Sequence, residues 1–247
     1  MEIVYIMENL SNDGRLFTHQ TLYCEGAIRP FFRGRIHYFI LFSGIMVLAF
    51  IELMKSVKTP TTTLIAVLFM LSFTACYVIS TIYHFCEHDK ETEIFIQKLD
   101  HVAVSFGMYF TVVPLSLLLP QTYQTVLLLL TTVFLVLSIY NIFKSPSNII
   151  YELGIIGMGV LFLPILYYYM TSFEWACAMT IVLFGVITGF MFFLELEVPF
   201  VSPEIFGYHE VAHLLLGISH IFGFFMVRSI FLRTPDDVDS TKDINPN

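Results

Sequence analysis

TTLIAVLFMLSFTACYVISTIYH, residues 62–84, is the stretch on which the reading of this chain turns. It holds no Asp, Glu, Lys or Arg, and as a helix it is long enough to cross a hydrocarbon core about 30 Å thick. A core helix of a soluble protein would be shorter or would show a polar face, so the stretch reads as a transmembrane span. Its last turns depart from this pattern. Ser80 and His84 stand four residues apart, on one face, at the point where the span meets the polar break CEHDKETE.

The composition extends that reading to the whole chain. Hydrophobic residues make up 57% of the 247 positions and charged residues only 13%, and the mean hydropathy is +0.78. Those values exclude a water-soluble globule. The net charge of −8 provides no basic footprint, so no nucleic-acid partner is expected. With one Trp against 26 Phe and 13 Tyr, the bilayer interfaces fall mainly to Tyr and Phe.

Seven apolar runs are long enough to span: 36–54, 62–84, 98–119, 123–143, 149–170, 174–195 and 208–230. The breaks between them are short and rich in Pro, Ser, Thr and charge, so consecutive helices must be neighbours. The expected fold is therefore all-α, a polytopic seven-transmembrane helical bundle over 36–230. An N-terminal segment, 1–35, precedes it, and a disordered acidic tail, 231–247, follows it. No repeat of the kind that builds transporters from two halves is visible. The first apolar run starts too late for a cleavable signal peptide, and the first span is expected to act as its own targeting signal. Cys24, Cys76, Cys86 and Cys177 form no C-x-x-C pair and are expected to be free thiols.

An odd number of spans places the termini on opposite sides. Arg29, Arg33, Arg35, Lys90, Lys98 and Lys144 gather on the N-terminal side, against Lys55, Lys58, Arg228 and Arg233 on the other, which favours a cytosolic N-terminus.

Ionisable groups inside membrane helices mark functional sites by default. The second span ends in STIYH, the third opens with KLDHVAV and places Asp100 in its first turn, and the seventh opens with YHEVAH. His209 and His213 share one face of that last helix at an i, i+4 spacing. Seven-span connectivity brings these three span ends to one leaflet. Three imidazoles from two helices make a tripod for Zn²⁺ with one position open, which is the ligand count of a catalytic site. Asp100 would then hold the zinc-bound water, and Ser80, one turn deeper than His84, could hydrogen-bond to that water or to a substrate carbonyl.

Taken singly, these residues have simpler roles. A His at a helix C-terminus and an Asp at an N-terminus both complement the helix dipole without any metal. His88 and His101 are expected to serve the interface and His37 to sit at headgroup level. His220 lies about 10 Å of helix rise beyond His213, too far to bind the same ion. Glu152, Glu195 and Glu197 sit at span ends, where solvation is the default.

HEVAH is also a literal H-E-x-x-H, the zinc-protease signature. Nothing downstream of His213 supplies the third ligand that such a protease needs, and Glu210 points about 100° away from the His209/His213 face. Glu210 is therefore expected to face headgroups or to stabilise the helix N-terminus, and a protease reading is not supported.

STIYH, KLD, YHEVAH and RPFFRGRIH (residues 29–37) together resemble the hemolysin III and progestin/adipoQ receptor family, which includes the adiponectin receptors. RPFFRGRIH and YHEVAH look most like the hemolysin III branch. The resemblance runs from about Arg29 to Arg228. It implies seven helices with a cytosolic N-terminus, and zinc held by His84, His209 and His213. It further implies that Asp100 contacts the zinc-bound water, with Ser80 as the motif serine. Family members are associated with ceramidase activity, so the resemblance implies a zinc-dependent lipid amide hydrolase, with membrane lipids as partners. The extended N-terminal domain of the adiponectin receptors has no counterpart in the residues before the first span, so a soluble hormone ligand is not expected. Two alternatives stay open at this point: a cytolytic, pore-forming protein with structural zinc, and a seven-helix receptor.

Overall fold

The computed structural model describes residues 23, 29–144, 157, 160–194 and 205–233, and among them all regular structure is helical. In chain order the helices are α1 (Arg35–Phe42), α2 (Ile45–Met54), α3 (Pro60–Phe85), α4 (Lys90–Ser116), α5 (Gln121–Lys144), α6 (the helical stretch 160–166), α7 (Ser172–Leu194) and α8 (Tyr208–Arg233). The residues at 145–156 and 195–204, with Glu152, Glu195 and Glu197 among them, lie outside the described residues, as do Cys24 and the tail from 234.

Local chemistry sets most of the helix starts. Thr59 and Thr62 form a reciprocal capping box ahead of α3, with Pro60 in the first helical position, where its missing N–H costs nothing. Asp89 caps α4 by accepting from the Thr92 N–H at 2.9 Å. Thr171 and Glu174 cap α7, with Thr171 N–H donating to Glu174 at 2.8 Å and Glu174 N–H to Thr171 at 3.2 Å.

α3, α5, α7 and α8 are each long and apolar enough to cross a membrane, and α1 with α2 makes a fifth candidate bent by 51°. The expected first span is thus broken. Gly44 sits at the break with a φ of 78°, a left-handed conformation that glycine adopts without strain. Four to five candidate spans therefore stand among the described residues against the expected seven: the helix at the expected third span, α4, is not among them, and the expected fifth span lies partly outside the described residues. α4 begins at Lys90, eight residues before the expected 98, because the Asp89 cap and the helix-forming run KETEIFIQK extend the helix through polar sequence. α8 continues to Arg233, beyond the expected end at 230, with Phe231 fully buried.

The core lies between α2, α3, α4, α7 and α8, around Leu53, Phe69, Phe73, Val112, Ala178 and Val227. Large apolar side chains such as Phe39, Leu48, Leu129, Val136 and Leu161 face outward, as lipid-bathed helices require. In lipid the helices gain little from hydrophobic burial, so close packing and interhelical hydrogen bonds matter more. Ser105 on α4 and Ser138 on α5 are hydrogen-bonded at 2.9 Å, and Tyr109 and Thr132 join the same helices at 3.0 Å. Each such bond contributes about 0.6 kcal/mol. Cys76, Cys86 and Cys177 are free thiols.

Candidate metal centre

His84 occupies the last turn of α3 and is 2% exposed. His209 and His213 occupy the first two turns of α8, where the i, i+4 spacing stacks them on one face. The ends of the two helices meet. His209 Nε2 lies 3.2 Å from His84 Nε2 and 2.7 Å from His213 Nε2. One ligand nitrogen from each ring falls within 4.8 Å of the others. The three imidazoles singled out in the sequence therefore converge.

The donor set suits zinc. Tetrahedral Zn–N bonds of about 2.0–2.1 Å place ligand nitrogens about 3.3 Å apart, a value bracketed by the observed spacings of 2.7 and 3.2 Å and the 4.8 Å within which all three nitrogens fall. Three imidazole nitrogens and no thiolate match a borderline cation such as Zn²⁺, and three protein ligands leave the fourth position open. Buried rings with nitrogens this close cannot all be protonated without mutual repulsion, whereas a shared cation would draw them together.

Asp100 Oδ2 stands 3.8 Å from His84 Nε2, and the residue is 8% exposed. The acid reaches the site from a different helical position than expected. Because α4 starts at Lys90, Asp100 lies in its third turn and does not cap it; the first-turn placement is corrected by the longer helix. Ser80 lies one turn from His84 towards the membrane interior, and its Oγ is buried without a hydrogen-bond partner. A buried hydroxyl in that state costs free energy unless something else satisfies it, which marks the position as one that can serve a ligand.

Glu210 has a structural role. It is 1% exposed, receives the Arg33 Nε–H at 2.6 Å and accepts the Gly207 N–H at 2.6 Å through its other oxygen. Both oxygens are engaged at the helix N-terminus, as a residue three positions after the cap should be. The helix-stabilising expectation for Glu210 agrees with this geometry, and the headgroup-facing one does not. His88 Nε2 lies 3.0 Å from the Ile82 carbonyl in the last turn of α3. His220 pairs through Nδ1 with the Tyr77 hydroxyl at 2.8 Å, deeper in the bundle and away from the three histidines.

His37, expected at headgroup level, is enclosed by the protein. It is 5% exposed, and its ring meets that of His213 edge-on at 4.4 Å between centroids. It ends a segment, Arg29–His37, whose structural part the sequence reading did not anticipate. Arg29 donates to the Cys86 carbonyl just beyond α3 and to Glu93 of α4 at 3.1 Å. Arg33 holds Glu210 on α8, and the Phe32 N–H reaches the Ile205 carbonyl at 3.1 Å. Burial alone would lower the affinity of the Arg33 guanidinium for its proton, but Glu210 and Tyr23 reverse that and raise its pKa. Three arginines, a glycine and a histidine within nine residues was the available signal.

A model of the family described as Haemolysin-III related matches residues 26–224. The chain belongs to this family. The matched range takes in Arg29–His37 together with Ser80, His84, Asp100, His209 and His213, so every element of the haemolysin-III candidate site lies inside it. No curated protein is a significant match to the chain.

Proposed function

We propose that this haemolysin-III family protein is a seven-span, multi-pass membrane hydrolase for a lipid amide of the ceramide type, with zinc held by His84, His209 and His213. The charge bias of the loops supports a cytosolic N-terminus. The observation that carries the reading is the convergence of three imidazole nitrogens beside the Asp100 carboxylate, at the edge of an apolar cavity. That cavity has a volume of about 510 Å³, within the range of ligand sites, and runs from His213 along α8 to Phe225. Ile40, Phe69, Tyr77, Gly217 and Phe224 line it, a surface suited to an acyl chain.

Zinc bound at the three histidines would supply Lewis acidity for a carbonyl oxygen and would lower the pKa of water in the open position. The chain's own residues do the rest. Asp100, on the His84 side, accepts a proton from the attacking water and returns it to the amide nitrogen as the C–N bond breaks, releasing a fatty acid and an amine. Ser80 donates its free hydroxyl to the carbonyl oxygen, where charge develops. The cavity walls hold the acyl chain and keep bulk water from the reacting carbon.

The test is fatty-acid release from ceramide by the purified protein in detergent, before and after metal chelation and after zinc is restored. Release that stops on chelation and returns with zinc supports the reading. Zinc-loaded protein that turns over no lipid amide refutes it.

A further inference from the structure

We propose that Arg29–His37 is a positioning segment of the metal centre and that Gly34 sets where His84 stands; this rests on the zinc reading above. The ligands come from two helices, α3 and α8, whose backbones approach each other little compared with the packing of α1 on α3, α3 on α4 and α7 on α8. No single rigid element therefore fixes the distance from His84 to His209 and His213.

The segment Arg29–His37 reaches both helices. At the α3 end, Arg29 binds the Cys86 carbonyl, and Gly34 lies against the backbone of His84 and Phe85. At the α8 end, Arg33 binds Glu210, the neighbour of His209, and the His37 ring packs on His213. Each metal-side histidine thus has a contact with this segment or lies beside a residue that does.

Gly34 is the tightest of these contacts. A Cβ there would stand 3.0 Å from Phe85 N, 3.1 Å from His84 C and 3.1 Å from His84 Cβ. Two of these three atoms belong to helix backbone, so no rotamer change can make room, and either the segment or the end of α3 must move. The chain also contains its own control. Gly44 has nearly the same φ, 78° against 77°, but a Cβ there would meet nothing within 4 Å. Alanine at either position incurs the strain of a positive φ, with Gly34 at ψ −30° lying further from the left-handed region than Gly44 at ψ −4°. Only Gly34→Ala adds a displacement of His84.

The experiment is a Co²⁺ titration of the full chain in detergent, read by ligand-field absorption, with Zn²⁺ competition to give affinities. Gly34→Ala is expected to weaken metal binding by about 10- to 100-fold, the range for residues that orient ligands without touching the ion, and to alter the cobalt spectrum. Gly44→Ala is expected to match the unsubstituted protein in both. Equal affinities and spectra for the two alanine variants would overturn the proposal. If Gly34→Ala loses its helical circular dichroism, Arg33→Met decides the matter: a clear loss of affinity in the folded variant supports the proposal, and unchanged affinity overturns it. An unsubstituted protein that binds no metal removes the zinc reading and this inference together. Normal binding with an unaffected Gly34→Ala removes only the inference.

Discussion

Glu210→Gln separates the structural account of the HEVAH helix from the protease-like one. In the structure Glu210 is 1% exposed, meets Arg33 at 2.6 Å and accepts the Gly207 N–H at 2.6 Å. Removing one member of a buried ion pair costs about 3–5 kcal/mol, mainly because the remaining charge is left without compensation. Two features reduce that cost here. Arg33 is 15% exposed and keeps its hydrogen bond to the Tyr23 hydroxyl at 2.8 Å, and glutamine still offers an oxygen to Gly207. A loss of about 2 kcal/mol follows, which for a chain of this size lowers the melting temperature by about 4–8 °C. Glu210→Ala also loses the helix cap, worth about a further 1 kcal/mol. Thermal unfolding of chelator-treated protein in detergent, followed by circular dichroism, measures both. If Glu210 were a general base, the glutamine variant would lose about 10²–10⁴-fold in turnover at full metal loading. The account predicts turnover of the same order as the unsubstituted protein. A Glu210→Gln variant with unchanged melting and abolished turnover would refute the reasoning.

Asp100→Asn is expected to retain zinc and to lose turnover by about 10²–10⁴-fold, which metal analysis alongside fatty-acid release would check. Ser80→Ala is expected to lower turnover by about 100-fold, as loss of a donor to a developing oxyanion does. It should leave the melting temperature unchanged or slightly higher, since the Ser80 hydroxyl has no partner to lose. At the far end of the bundle, Glu174 is fully buried and is held by Arg233 at 2.6 Å and Ser229 at 2.9 Å. Arg233→Met should therefore destabilise the protein by about 2 kcal/mol without changing metal content; a melting temperature within error of the unsubstituted protein would contradict that.

Four long apolar helices and the grouping of His84, His209 and His213 were legible in the sequence, because hydropathy reports helix length and an i, i+4 spacing stacks two histidines on one face. Features that depend on backbone angles or on polar helix were not. The break at Gly44 is marked in the sequence only by the pair Ser43–Gly44, and nothing in hydropathy distinguishes a left-handed glycine from a helical one. The early start of α4 at Lys90 was hidden because a span is recognised by apolar residues, whereas this helix begins with a cap and charged turns. That same extension moved Asp100 from the first turn to the third, without removing it from the histidines. His37 was misread because a histidine beside arginines suggests the headgroup region. Here Arg33 and Arg35 are themselves taken up by Glu210 and the Phe31 carbonyl, and the chain turns inward at Gly34.

The central claim is that His84, His209 and His213 hold one metal ion between α3 and α8. Its most direct test is the zinc content of the purified chain and of the three single histidine-to-alanine variants, measured by mass spectrometry. The account predicts one zinc per chain in the unsubstituted protein and little or none in each variant. A chain that carries no zinc, or that keeps it when His84 on the other helix is removed, would contradict it.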